Sequence, residues 1–256
     1  MNRPLNRLVR RINEWRGRPK SRGRTLVGRA AKLLAAAYVA LLLNPSPLFA
    51  HSYHAAPFSV YSDRPIPDDM AAVLDAAAAR LAASPMVFES EQFHVYIAND
   101  AWRRRLVSPV AHGAFGAYYP LTGNVVLNRA DVEDDLCFIG DGEATRPLHA
   151  IVAHECTHEA VARRLGLWHY LRIPTWVQEG YAETVSGGPS VDPQDAADAI
   201  ADGRSDQTFG FRYATYRLAV EQLLGHEGVT PSRLFSRPHD FEAALARAVE
   251  RRTAGR

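Results

Sequence analysis

The sequence predicts an α+β domain whose strands come first and whose helices follow. Between residues 93 and 128, short β-prone runs are separated by turn residues. From Pro147 onward, apolar side chains recur instead at three- and four-residue steps, the spacing of helices. With 256 residues, 47% of them hydrophobic and 23% charged, the chain has the size and usage of one substantial domain plus an appendage.

The appendage is N-terminal. Residues 1–32 form a basic arm with 11 Lys/Arg against the single acid Glu14, whereas the remainder carries 19 basic and 27 acidic side chains. The formal net charge of +2 thus hides a mildly acidic body, which argues against a nucleic-acid-binding surface there. Residues 33–50 read as a signal peptide or membrane anchor, since Leu33 to Leu43 is an unbroken apolar run directly after the positive charges. Export across the inner membrane follows, to a periplasmic or extracellular face, with a membrane attachment if the segment stays uncleaved. Residues 51–256 form the body. Cys137 and Cys156 define no disulfide framework, although they could pair in an oxidising compartment.

Within the body, His51 to Pro67 reads as irregular or partly extended. Met70 to Ala83 is Ala-rich with Val73, Leu74 and Leu81 near helical spacing, and Asp68-Asp69 offers its start. Phe93 to Ile97 alternates as a strand, and Asn99-Asp100 caps a short helix holding Trp102. Gly113 to Tyr119 and Val125 to Asn128 bracket Pro120 to Asn124, a strand–turn–strand unit. A helix then starts after Pro147, with Leu148, Ile151, Val152, His158, Val161 and Leu165 in register and Gly166 as its stop. Pro174 suits the first turn of the next helix, which ends near Val185. Pro193 to Ala201, Tyr213 to Leu224 and Phe241 to Arg251 complete the helical half.

The chemistry sits in His154-Glu155-Cys156-Thr157-His158, an H-E-x-x-H pattern inside that helix. Positions four apart on a helix lie about 40° from each other, so both imidazoles can close on one zinc ion. Glu155, one step round, can reach a water without occupying a coordination position. A catalytic zinc needs a third protein ligand. A metzincin would place Gly and His where Val161 and Arg164 stand, so that route fails. A carboxylate from the following helix remains, and Glu179 supplies it.

H-E-x-x-H followed by W-x-x-E-G-x-A-E, here Trp176 to Glu183, resembles the gluzincin metallopeptidases with a minimal thermolysin-like core. The resemblance is close over Arg146 to Ser186 and fainter over residues 123–127 and 213–224. It implies a thermolysin-like zincin fold with a small, mostly antiparallel sheet, and hydrolysis of peptide bonds in a peptide or protein substrate. It implies His154, His158 and Glu179 as zinc ligands and Glu155 as general base for the attacking water. It further implies an edge strand at Asn124, Val125 and Val126 that pairs with substrate, and a phenol facing the metal from Tyr213, with Tyr216 as alternative.

Glu183, one turn beyond Glu179, is a candidate partner for a ligand imidazole or a solvated helix-face acid. The acidic run Asp131, Glu133, Asp134 and Asp135 could approach the site or line a solvated loop. His149 points elsewhere on the helix, His51, His54, His94, His112 and His169 lack ligand spacing, and Trp176 reads as a packing anchor. The rival reading is a zinc-retaining module that binds peptide or envelope polymer without catalysis; it would have no use for Glu155.

Overall fold

The structure is a computed structural model that describes residues 22–88, 91–188, 191–204, 206 and 208–254, with side chains from 27 onward. Most of the basic arm, residues 1–21, lies outside the described residues. The chain divides into two compact units at Leu43/Asn44.

The first unit contains helix α1, Arg22–Leu43, whose C-terminal half is the apolar run. Leu33, Leu34, Val39 and Leu43 are exposed on it. Among the described residues, no helix is long and apolar enough to cross a membrane.

The second unit begins at Asn44, earlier than the 50/51 boundary drawn from sequence. The reason is packing. Phe49 is buried, its ring 5.4 Å from that of Tyr96, and the Leu48 carbonyl accepts from Arg103 Nε at 3.1 Å. Strands β1 (His51–Ala55) and β2 (Phe58–Ser62) then form an antiparallel hairpin in the segment that reads as irregular or partly extended from sequence.

Helix α2 (Met70–Ala82), strand β3 (Phe93–Ile97) and helix α3 (Ala101–Val107) follow where the sequence predicts them. Strands β4 (Gly116–Tyr119) and β5 (Asn124–Leu127) complete a five-stranded sheet of order β1-β2-β3-β5-β4. The expectation of a mostly antiparallel sheet needs correction here. β2/β3 and β3/β5 are parallel, and only the two outer pairs are antiparallel. The parallel centre follows from α2 and α3 acting as crossovers between strands.

Alternation divides the side chains between the sheet's two faces. Phe58, Val60, Val95, Ile97, Val125 and Leu127 face the main core with α2 and the His154 helix. Tyr96 and Val126 face the other way, toward Phe49, Ala98 and Val107. A second sheet of very short strands, β6 (Ala130–Asp131), β7 (Leu136–Phe138) and β8 (Thr145–Pro147), contains the acidic run.

Helix α4 (Leu148–Leu165) leaves β8 and runs through the centre. It is buried on every side from Ala150 to Ala162, so it is not the one-sided amphipathic helix its spacing suggests. The one-turn α5 (Leu167–Tyr170) leads to α6 (Thr175–Ser186). Helices α7 (Pro193–Ala201), α8 (Phe209–Glu221), α9 (Pro231–Ser236) and α10 (Phe241–Thr253) complete the second half. α8 starts four residues before Tyr213 because Thr208 caps it, accepting from the Phe211 N–H.

Candidate metal centre

Both ends of α4 are fixed by groups outside it. At its start the Leu148 N–H donates to the Asp135 carbonyl at 2.8 Å, and the His149 N–H to Asp135 Oδ1 at 2.9 Å. His149 Nδ1 pairs with the same carboxylate, and its Nε2 lies 3.0 Å from an Arg80 guanidinium nitrogen. Asp135 therefore serves the helix N-terminus, where a negative charge is favourable, and not the metal residues. At the other end Gly166 adopts φ 81°, and its N–H donates to the Ala162 carbonyl.

In the middle of α4, His154 Nε2 and His158 Nε2 stand 3.2 Å apart. Glu179, from α6, brings Oε2 to 3.1 Å from the first and 3.5 Å from the second. These three residues are the group among the described residues that could hold a metal ion. Donors at zinc-ligand distances of about 2.0–2.1 Å around a tetrahedron stand about 3.3 Å from one another, which is the size of this triangle. Two imidazoles and one carboxylate also match the donor set of a zinc site that keeps one position open. The residues present fit one zinc ion.

The electrostatics are those of a buried cationic–anionic cluster. Burial works against an ionised Glu179, but the charge of His158 and hydrogen bonds with both imidazoles outweigh it. The Glu179 carboxyl is held well below the ordinary range. Burial likewise opposes a proton on His154, yet Glu179 and Glu183 outweigh it and push that imidazole up to about 10.

Glu183 is fully buried, with Oε1 at 3.2 Å from His154 Nδ1. Its opposite flank is taken by Arg146 of β8, whose two terminal nitrogens reach Oε1 at 2.9 Å and Oε2 at 3.1 Å. Arg146 Nε donates to the Gly188 carbonyl at 2.9 Å. The sequence offers two roles for Glu183, and the geometry selects the imidazole partner. Arg146 carries no signal of its role in the sequence.

Glu155 lies beside the triangle, buried between α4 and the sheet. Burial raises its carboxyl, the two imidazoles pull it down, Glu179 pushes it up, and the Tyr118 backbone N–H of β4 donates to it. The net direction is upward. Gly116, two residues earlier on β4, makes room for it: a Cβ there would stand 3.2 Å from Glu155 Cγ and 2.7 Å from Leu127 Cδ2.

Two phenols flank the imidazoles. Tyr213 stacks on His154 with ring centres 6.3 Å apart and planes at 15°. Tyr170 meets His158 edge-on at 6.4 Å. Burial, reinforced by Glu179 and Glu155, pushes both hydroxyls far above the ordinary tyrosine value. Tyr216 instead turns edge-on to Phe241 at 5.5 Å. Tyr170 escapes sequence reasoning because α5 is a single turn with no periodicity to read.

Asn124, Val125 and Val126 do not form an edge. They are buried, and β5 is paired to β3 on one side and β4 on the other. The sheet's two edge strands are β1 (His51–Ala55) and β4 (Gly116–Tyr119), and β4 is the one beside Glu155. The remaining candidates fall into structural roles. Trp176 packs on Phe241 at 5.4 Å, His169 Nε2 bonds the Phe235 carbonyl, and Cys137 and Cys156 are buried free thiols. Comparison of the chain with protein-family models and with curated protein sequences finds no match in either set.

Proposed function

We propose that this chain is a zinc-dependent peptide hydrolase of the gluzincin type, in which Glu155 is the general base. The observation that carries this reading is the triangle of His154 Nε2, His158 Nε2 and Glu179 Oε2, with the upward-shifted carboxyl of Glu155 beside it. His154, His158 and Glu179 would hold the ion. When bound, zinc supplies a Lewis acid that acidifies water and polarises a carbonyl.

The chain's own residues account for the rest. Glu155 takes a proton from the attacking water onto its carboxylate and passes it to the leaving amine nitrogen. A carboxyl shifted upward from its ordinary value is better matched to that two-way transfer near neutral pH. The Tyr118 N–H fixes the orientation of the carboxylate. Glu183, held in turn by Arg146, fixes the His154 ring so that Nε2 faces the ion. Tyr213 and Tyr170 keep their hydroxyl protons across the neutral range and can donate to a developing oxyanion.

Among the described residues the outer edge of β4 pairs with no other strand, so an extended peptide can add there through the main-chain groups other than the Tyr118 N–H, which donates to Glu155. That assigns the substrate strand to Gly116–Tyr119 in place of Asn124–Val126. The basic arm and α1 fit export and attachment to the membrane face, with peptide or protein as substrate and no nucleic-acid partner.

The test compares the zinc-loaded chain with Glu155→Gln and Glu179→Ala on a mixed peptide library. Cleavage by the wild type, none by Glu155→Gln at equal zinc content, and weakened zinc retention in Glu179→Ala are expected. Equal cleavage by Glu155→Gln would remove the general-base role. Zinc retention without cleavage by any form would make the chain a binding module.

A further inference from the structure

The C-terminal end of α4, the one-turn α5 and α9 meet around a groove of about 700 Å³ lined by Leu165, Trp168, His169, Arg172, Phe235 and Arg237. His169 Nε2, 2.8 Å from the Phe235 carbonyl, ties the two walls together. α5 has two distinct sides. Tyr170 is buried against His158, whereas Trp168 is 73% exposed and Leu171, just after the helix, 50% exposed.

The charge around these apolar groups has one sign. Residues 160–178 and 228–239 contain no Asp or Glu, although the body as a whole carries more acids than bases. Arg164, Arg172, Arg233 and Arg237 are all exposed and none makes an ion pair among the described residues, although the Arg164 guanidinium lies over the Phe88 ring at 4.1 Å. Arginines elsewhere on the body, such as Arg103, Arg217, Arg247 and Arg252, have carboxylate partners. An exposed tryptophan and leucine set among four cations that lack ion-pair partners have the chemistry of a surface that meets both phosphates and the apolar layer below them.

We propose that this face docks onto an anionic bilayer, with Trp168 and Leu171 entering the interface and Arg164, Arg172, Arg233 and Arg237 meeting the headgroup phosphates. Two observations select a bilayer over a soluble acidic protein: the apolar side chains of Trp168 and Leu171 stand exposed among the cations, and the sequence carries a basic arm followed by an apolar run that reads as membrane-directed. The inference rests on reading the N-terminal segment as membrane-directed. Docking would bring α5, and with it the Tyr170 wall of the metal pocket, against the membrane surface.

The experiment uses the full chain with vesicles of phosphatidylcholine containing 30% phosphatidylglycerol, the lipids brominated at shallow or deep acyl positions. The chain has four tryptophans, so the difference between wild type and Trp168→Phe isolates Trp168 emission. The readout needs neither zinc nor turnover. We expect shallow bromines to quench Trp168, and the quenching to disappear on pure phosphatidylcholine and in Arg164→Gln/Arg172→Gln/Arg237→Gln. At about fivefold in partition per charge, that variant should lose about a hundredfold in affinity of this face. Vesicle-bound protein with unquenched Trp168 would overturn the docking surface while leaving the membrane-directed arm standing, and would give the patch to a soluble acidic partner. Protein that stays off the vesicles would overturn both. Quenching that survives the arginine substitutions would overturn the headgroup contacts and with them the proposal.

Discussion

Arg146→Met removes a group that touches none of the three ligand atoms, and its expected effect can be worked from the geometry. The Arg146 side chain is 4% exposed and that of Glu183 1%, and they share two hydrogen bonds of 2.9 and 3.1 Å. Removing one partner of such a buried pair leaves the other charge without compensation, at about 3–5 kcal/mol. Glu183 retains His154 as a neighbour, so the lower end, about 3 kcal/mol, applies to the zinc-free protein. For a unit of this length that corresponds to a fall of about 6–12 °C in Tm.

The more informative quantity is zinc affinity. Glu183 is held ionised in part by Arg146, and its negative charge 3.2 Å from His154 Nδ1 favours a proton on that nitrogen when Nε2 binds an ion. Losing that support should weaken zinc about 10–100-fold. The assay is chelator competition well below Tm, with Arg146→Lys alongside. Lysine restores the charge but not the two-pronged contact, and should recover part of the loss. A folded Arg146→Met with wild-type zinc affinity and a lowered Tm would refute the reasoning: Arg146 would then be a structural ion pair with no influence on His154.

Three further outcomes follow from the same geometry. With His154 pushed up to about 10, zinc loading at pH 7–9 should release about one proton, and affinity should rise with pH until about 10; calorimetry in buffers of different ionisation enthalpy counts that proton. Glu159 is fully buried beside Arg163, and burial pushes its carboxyl up to about 8. The folded state then holds a proton that the unfolded state has lost above its ordinary value near 4.5. Stability should therefore fall by on the order of 3 kcal/mol as pH rises from 5 to 8, and Glu159→Gln should flatten that slope in urea titrations. Gly116→Ala would press on Leu127 and Glu155, so it should cost about 1–3 kcal/mol and lower kcat at unchanged zinc content; unchanged kcat would separate β4 from the base.

The candidate ligand set is legible in the sequence because two imidazoles on one helical face require a fixed spacing, whatever surrounds them. Arg146 and the Tyr118 N–H are not legible. The first stands 37 positions from its partner on a three-residue strand, and the second is a backbone group with no letter of its own. The β1–β2 segment reads only as irregular or partly extended, and its hairpin pairing is not legible because His, Ser and Tyr dilute the apolar alternation. The edge strand is misassigned for a different reason, since both members of the β4–β5 hairpin read as strands. Which one lies outside is decided by pairing to β3, far away in sequence. A signal was nevertheless present. Val125-Val126-Leu127 is a continuous apolar run, the mark of a strand covered on both faces, whereas Gly116-Ala117-Tyr118-Tyr119 is not.

Close backbone approach of α6 and α8 brings Glu179 and Tyr213 to the same imidazole, His154. Gly180, beside Glu179, lies so close to the Tyr216 carbonyl that a Cβ could not be accommodated without moving one helix. Tyr216 in turn stands one turn from Tyr213 on α8. The spacing of the two helices that carry Glu179 and Tyr213 is therefore set by main chains in contact. The Glu-Gly pair at 179–180 thus combines two features in adjacent positions: a carboxylate within hydrogen-bonding distance of His154, and the absence of a side chain that lets α8 approach and stack its phenol on the same imidazole.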